Sequence, residues 1–302
     1  MADYSSLALR YQGSIHRAGR VYPVAVEPLC TELAGLIQVV DDAAPCGADL
    51  LALGKPHLMQ LLNGRAGLHD GNILCWIRTD KDGIAAVPGS YFDMLSTCDA
   101  VRAEYQLAED PAEDDQPVRN RVHAVSGDPL VSGLGRAAGI GVSVLLTVPG
   151  GRHPDRRKFL VGRRSQTVGT DPGLWHVAPS GMLEQDSQGR HLETTVSREL
   201  EEELGVMVSP AEVARRGEIL GVAHDLLRLR PDVALRLDLT LDESRSLAVG
   251  DGEFVEFRGH EMAAQDISEF WATHPPSTLT PAAAGAVALL EARRMLRSTQ
   301  SS

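Results

Sequence analysis

The chain has 302 residues, 43% of them hydrophobic, and a formal charge of −12. That apolar fraction excludes a disordered chain and suffices for one large core or two smaller ones. The acidity argues against a nucleic-acid backbone as partner, which calls for a basic surface.

No N-terminal apolar run of signal type and no apolar stretch of about 18 residues appears, so secretion and membrane insertion are not expected, and the sequence reads as cytoplasmic. The four cysteines, Cys30, Cys46, Cys75 and Cys98, form no CxxC pair. They are expected as free thiols in a reducing compartment, with neither a zinc site nor a disulfide framework indicated. Two units are expected: an α+β extension over residues 1–124 and a second domain over residues 125–302.

In chain order, Glu32 to Val40 and His57 to Leu62 are expected as short helices, Ile73 to Ile77 as a strand and Asp93 to Tyr105 as a helix. Gly89 and Ser90 followed by Tyr91 and Phe92 make a turn with two aromatics, which either anchor a helix start in a core or touch a ligand. Glu109 to Gln116, EDPAEDDQ, is acidic and without aliphatics, the composition of a linker or mobile loop. Ile140 to Val148 and Lys158 to Arg163 form an expected hairpin, turning around Pro149 to Asp155. Gly133-Leu134-Gly135 precedes a strand and not a helix, the wrong context for a dinucleotide loop. Arg163 and Arg164 end the second hairpin strand, either as a solvated tip or as substrate-binding groups.

The most informative stretch is Gly181 to Val206, GMLEQDSQGRHLETTVSRELEEELGV. Leu192, Val196, Leu200 and Leu204 recur every four residues and draw an apolar stripe down a helix that Gly205 ends. Glu199 precedes Glu202 by three residues and Glu203 by four, so the three carboxylates converge on one exposed helix face, and Arg198 can orient Glu202 from four residues before it. Such a patch either meets water or takes a hard divalent cation with oxygen ligands, such as Mg²⁺.

Beyond it, Ile219 to Val222 and Val233 to Leu239 read as strands. In the second, Val233, Leu235, Leu237 and Leu239 alternate with Ala234, Arg236 and Asp238, giving a buried and a polar face. Arg236 and Asp238 either line a pocket or face solvent. Glu253 to Phe257 is expected as a late strand, and its Glu253 or Glu256, with Glu253 ranked first, either adds a carboxylate opposite the acidic helix or serves helix dipoles and surface solubility. Pro281 to Leu296 is a closing helix with proline in its first turn.

Arg198-Glu199-Leu200-Glu201-Glu202-Glu203-Leu204-Gly205-Val206 fills every position of the REUxEExGU half of the Nudix box, U being a bulky aliphatic residue. The chain thus resembles a Nudix hydrolase over roughly its C-terminal 170 residues. The first half of the box departs from the pattern. Pro179-Ser180-Gly181-Met182-Leu183-Glu184 is similar to PGGxxE with Ser180 for a glycine, about three residues are inserted after it, and Arg190 stands where the box has a glutamate. Ser90 to Leu95, Asp128 to Leu130, Ile219 to Ala223 and Thr280 to Ala286 are similar, in order, to the UDP-glucose-hydrolysing branch of that family.

The resemblance implies an α/β fold, a Nudix α/β/α sandwich around a mixed sheet, with the N-terminal α+β extension shaping the pocket. It implies Mg²⁺ or Mn²⁺ held by Glu199, Glu202 and Glu203 with the Gly181 carbonyl and Glu253, a catalytic role for Glu199 and Glu202 with Arg198 orienting them, and Arg163, Arg164, Arg236 and Asp238 as substrate-binding residues. The activity implied is hydrolysis of a nucleoside diphosphate linked to a group X, a UDP-sugar first, giving a nucleoside monophosphate and a sugar 1-phosphate. Hydrolysis of ADP-ribose or triphosphates and a non-catalytic nucleotide sensor are the alternatives. The partner is a small nucleotide, not nucleic acid or membrane, and a homodimer is compatible with the sequence.

Overall fold

The computed structural model describes residues 4–29, 31–40, 45–64, 68–108, 115–150, 153–248 and 252–300, without the side chains of 153–155 and 297–300. The first elements are α1 (Ser5–Arg10), β1 (Ser14–Arg17), β2 (Arg20–Pro28), β3 (Ile37–Val39), α2 (Ala48–Gly64), β4 (Asn72–Asp80) and β5 (Gly83–Ser90). A continuous helical run follows as α3 (Tyr91–Met94), a π-helical turn (Leu95–Asp99) and α4 (Ala100–Leu107), and then α5 (Pro117–Ser126). The second half holds β6 (Gly141–Gly150), β7 (His153–Arg164), β8 (Trp175–His176), β9 (Ser180–Met182), α6 (His191–Leu204), α7 (Pro210–Arg216), β10 (Gly217–Asp225), β11 (Arg230–Asp238), α8 (Leu241–Ser246), β12 (Phe254–Glu261), α9 (Ala264–Thr273) and α10 (Pro281–Gln300).

One sheet runs in the order β1-β2-β10-β11-β6-β7-β12, with β8 on β7 and β9 on β6. β11 and β6 are parallel and the other pairs antiparallel, so the sheet is mixed. Alternation along β6 sends Val142, Val144 and Leu146 toward Leu192, Val196, Leu200 and Leu204 of α6, and Leu145 toward α9 and α10 on the opposite face. Helices on both faces make this the expected α/β sandwich. The β11 face expected to be polar is covered as well: Ala234 is fully buried against α10, and only Arg236 and Asp238 stay partly exposed.

Residues 1–124 contribute to two sheets. β2 pairs with β10 in the large one, while β3, β5 and β4 form a separate sheet of three strands. The small sheet joins the α6 core through Trp76, Ile84 and Val87. Glu32 to Val40 is not a helix. Its Leu33, Leu36 and Ile37 have helical spacing, but Gly35 takes φ +76° and the chain turns there into β3. His57 to Leu62 lies within α2, and Asp93 to Tyr105 within the run from α3 to α4. Residues 109–114 of the expected linker, residues 151–152 of the hairpin turn, and Cys30 lie outside the described residues.

The helical run keeps one wide turn where α2 crosses it. Ser96 Oγ and Thr97 Oγ1 donate to the carbonyls of Phe92 and Asp93, both at 2.8 Å. Gly54 of α2 packs directly on this turn, and a Cβ added there would lie 1.4 Å from the Ser96 carbonyl oxygen. The obstacle is backbone and cannot rotate away. Gly54→Ala is therefore expected to cost about 1–3 kcal/mol or more by overpacking. Chemical denaturation read by circular dichroism checks this, and unchanged stability would mean that α2 and the π turn are not in contact.

Candidate active site

The acidic helix α6 starts without help from its N-cap side chain, Arg190. Asp186, in the inserted loop, orders the approach to the helix: its carboxylate takes the backbone N–H groups of Gln188 and Arg190 at 2.9 and 3.0 Å. At the other end Gly205 takes φ +65°, and the N–H groups of Gly205 and Val206 reach back to the carbonyls of Glu201 and Leu200. The stripe Leu192, Val196, Leu200 and Leu204 is buried, none of the four more than 1% exposed. Packing thus fixes the rotation of the helix and the directions of its glutamates.

Those directions divide the expected triad. Glu203 is not on an exposed face: it is 2% exposed, and its carboxylate accepts the Ser180 backbone N–H at 3.2 and 3.3 Å. It follows Leu200 by three residues and lies beside the apolar stripe. Glu199, one turn earlier, packs so close to Gly181 that a Cβ there would come within 2.3 Å of Glu199 Oε1. Glu202 turns outward, its side chain 60% exposed, and is tied to the others only through Arg198 at 3.9 Å. Arg198 holds Glu199 at 2.7 Å and Glu184 at 2.9 Å. Glu184 thus stabilises the arginine that orients Glu199, a role that sequence spacing left unassigned because the inserted residues obscure its register.

Glu253, just before β12, comes from across the sheet edge and pairs with Arg164 at 2.6 Å. Burial first, then the charges of Glu253 and Glu199, push the Glu203 carboxyl well above its ordinary range. Burial raises Glu199 too, against the lowering effect of Arg198, with Glu202 and Glu253 adding to the rise. Three carboxylates that destabilise one another's charge, beside a glycine that leaves its carbonyl unscreened by any side chain, suit a divalent cation with oxygen ligands. As the side chains lie, Arg164 and Arg198 take up two of them, and among the described residues no three acidic, histidine or cysteine side chains are gathered tightly enough to hold a metal. Glu256 pairs with Arg163 and Arg258.

Next to Gly181 and Glu253 opens a cavity of about 180 Å³. Its walls combine Tyr91, Met94 and Asp99 of the N-terminal helical run with Ser180 and Met182 of β9, the β10–β11 connection, and the start of α10. Tyr91 therefore both packs against the core and faces the cavity, whereas Phe92 packs against the core. Arg228, its side chain 4% exposed, bridges Asp225 at 2.8 Å, Asp99 at 3.1 Å and Asp171 at 3.2 Å. Asp171 also takes Arg102. Burial pushes the Asp225 carboxyl up to about 7. His176, whose Nδ1 lies 2.6 Å from Thr280 Oγ1, is held well below its ordinary value by burial and then by Arg164, and is neutral near pH 7.

Of the four expected substrate residues, Arg164 lines this cavity. Arg163 lies outside it, reaching the Gly173 carbonyl and Glu256. Arg236 and Asp238 pair with each other at 2.9 Å, beside Glu218 and Arg157. They lie four and six residues beyond Asp232, which lines the cavity, so they stand about 13 and 20 Å away toward the other end of β11. Asp99, Asp171, Asp225, Arg228, Arg230 and Asp232 were not singled out from sequence. The available signal was the run HDLLRLRPD between two apolar strands, where five charged or ionisable groups interrupt buried segments.

Cys46, Cys75 and Cys98 are free thiols, and burial raises all three, Cys46 to about 12 and Cys98 to about 11. Among the described residues no helix is long and apolar enough to cross a membrane.

The repulsion at Glu203 has a measurable sign. A carboxyl whose folded pKa lies above its unfolded value of about 4.5 favours folding at low pH and loses that contribution as pH rises. In chelator, Glu203→Gln is expected to match the parent near pH 4.5 and to exceed its Tm increasingly up to pH 8, at roughly 2–4 °C per kcal/mol gained. A difference independent of pH would show that Glu203 is not in this repulsive cluster.

Residues 138–277 match the NUDIX domain family. No curated protein matches the chain. Among solved structures it is similar to a MutT/nudix family protein from Enterococcus faecalis at 20% identity, covering 41% of this chain and 43% of that one with a TM-score of 0.32. It is also similar to a MutT protein from Methanosarcina mazei Go1 (21% identity, 53% and 94% covered, TM-score 0.35) and to a NUDIX hydrolase from Alicyclobacillus acidocaldarius (13% identity, 51% and 90% covered, TM-score 0.36). None of these similarities lends the chain a substrate. Over residues 138–277, then, the chain is similar to a NUDIX domain.

Proposed function

We propose that the chain hydrolyses the diphosphate linkage of a nucleoside diphosphate joined to a group X, with UDP-sugars as the preferred class, giving UMP and a sugar 1-phosphate. The observation that carries this reading is a cavity with two differently built ends. One meets Glu253 and Gly181, behind which Glu199 of α6 packs; the other is closed by Tyr91, Met94 and Asp99 from the N-terminal unit and lined by the buried Asp225 and Asp232. The first suits phosphates and a cation, the second a hydroxyl-bearing group, since carboxylates fixed by Arg228 keep further lone pairs that ligand hydroxyls can meet.

Glu199, Glu203 and Glu253, with the Gly181 carbonyl, would hold Mg²⁺ or Mn²⁺, and Glu202 would lie outside the ligand set. A divalent cation there supplies Lewis acidity toward the phosphate oxygens and makes water a better nucleophile at neutral pH. A carboxylate of the cluster accepts the proton of water as its oxygen bonds to phosphorus, and the bridging oxygen leaves on the other phosphate. Arg198, held by Glu184, fixes Glu199, and Arg164 fixes Glu253. The N-terminal α+β unit shapes the pocket for X, and the acidic chain disfavours long polyanions.

A nucleotide sensor is the second reading, favoured by the two arginines that already engage Glu199 and Glu253 and by Arg190 in place of the box glutamate. Incubation with Mg²⁺ and a panel of nucleotide sugars, ADP-ribose, dinucleotides and triphosphates, with products identified by mass spectrometry, decides between them. UMP and sugar 1-phosphate are expected. Cleavage of ADP-ribose or triphosphates alone would overturn the sugar assignment, and binding without cleavage would establish the sensor.

Among variants, Glu199→Gln and Glu203→Gln should each lower kcat about 10²-fold or more. Glu202→Gln should cost less, and Arg190→Ala should change turnover only modestly, since that side chain is exposed at the helix start. Near-normal rates in the first two would remove the assigned cluster from the chemistry.

A further inference from the structure

Two of the arginines that line the cavity are engaged by carboxylates: Arg164 by Glu253, and Arg228 by Asp99, Asp171 and Asp225. Arg230, the first residue of β11, lines the same cavity without an ion pair to any described residue. Its Nη1 donates toward two thioether sulfurs, Met182 Sδ at 2.8 Å and Met94 Sδ at 4.0 Å, and its Nε is buried with no partner. Thioethers are weak acceptors, and a guanidinium carries five donors in a flat fork that fits phosphate or carboxylate oxygens. The charges of Asp232, Asp99 and Asp225 stabilise this partly exposed cation from beyond ion-pair distance, yet its N–H donors meet only sulfur, so the fork keeps donors for a ligand oxygen.

Resting on the proposed reading of the cavity as the diphosphate site, we propose that Arg230 is a substrate-binding residue that takes an anionic phosphate oxygen of the diphosphate. Met182 is the neighbour of Gly181, so the guanidinium stands beside the edge where Gly181 packs on Glu199. Met94, on the N-terminal helical run, approaches the same Nη1. The two sulfurs share Nη1 alone, which leaves Nε and Nη2 to donate to a ligand. Arg230 thereby favours substrates with a charged phosphate chain over the nucleoside alone.

The test is equilibrium binding by titration calorimetry, on the full chain with Ca²⁺, of inorganic pyrophosphate, UDP, ADP and uridine. Parent protein is compared with Arg230→Met and Arg230→Lys. Arg230→Met fills the same volume without charge and should weaken pyrophosphate and both nucleoside diphosphates about 10-fold or more, the range of a charge-assisted hydrogen bond to an anion. Uridine binding should not change between parent and variants. Arg230→Lys should recover part of the loss, whereas a packing role would be served as well by methionine as by lysine. Circular dichroism and Tm of both variants establish that they fold.

Unchanged pyrophosphate binding in Arg230→Met overturns the proposal, as does a loss for uridine equal to that for UDP, or failure of the parent to bind any of the three anions. The result separates from the catalytic reading. A parent that binds diphosphates through Arg230 yet cleaves nothing in the substrate panel leaves this inference standing and removes the hydrolase, while active turnover indifferent to Arg230→Met does the reverse.

Discussion

Three carboxylates from two directions, Glu199 and Glu203 on α6 and Glu253 ahead of β12, repel one another without closing into a tight cluster as the side chains lie. The apolar stripe of α6 forces the first two inward, because Leu192, Val196, Leu200 and Leu204 can be buried only in one rotation of the helix and Glu203 then lies against β9. Arg164 and Arg198 offset part of the resulting repulsion. The remaining repulsion is what favours the proposed cation site, since a divalent ion would turn mutual destabilisation into attraction.

The cavity beside this cluster depends on the N-terminal residues as much as on the NUDIX domain. β2 adds to the large sheet at β10, and the small sheet and its helices bring Asp99 within 3.1 Å of Arg228. The Arg228 network spans three separate segments, at Asp99, Asp171 and Asp225, and closes one wall of the cavity with ion pairs that exclude water on most sides. Charged groups so deeply placed hold only while every partner is present, because removing one leaves an uncompensated charge. The wall is thus stiff in its geometry and specific in the polar groups it presents.

Much of this was legible in the sequence, and for definite reasons. The box helix, the hairpin of β6 and β7, β10, β12 and the closing α10 show strong periodicity or a dense local motif. Glu32 to Val40 was misread because Leu33, Leu36 and Ile37 mimic a helical stripe, while the deciding residue is the left-handed Gly35. Arg236 and Asp238 carry the right chemistry for a pocket, but strand length puts them at the wrong end of β11, and a linear alternation says nothing about ends. The ionic wall was missed because its members are spread from Asp99 to Asp232 and only the sheet crossing brings them together. Glu203 was expected at the surface because a run of glutamates looks solvated, although its place beside Leu200 and Leu204 already implied partial burial.

The central claim is that Glu199, Glu203 and Glu253 form a divalent-cation site. Titrating the purified chain with Mn²⁺ and following free ion by electron paramagnetic resonance tests it without assuming any substrate. The account predicts saturable binding that is weakened at least tenfold in Glu203→Gln and in Glu253→Gln and is little changed in Glu202→Gln. Equal Mn²⁺ affinity in the parent, Glu203→Gln and Glu253→Gln would contradict it.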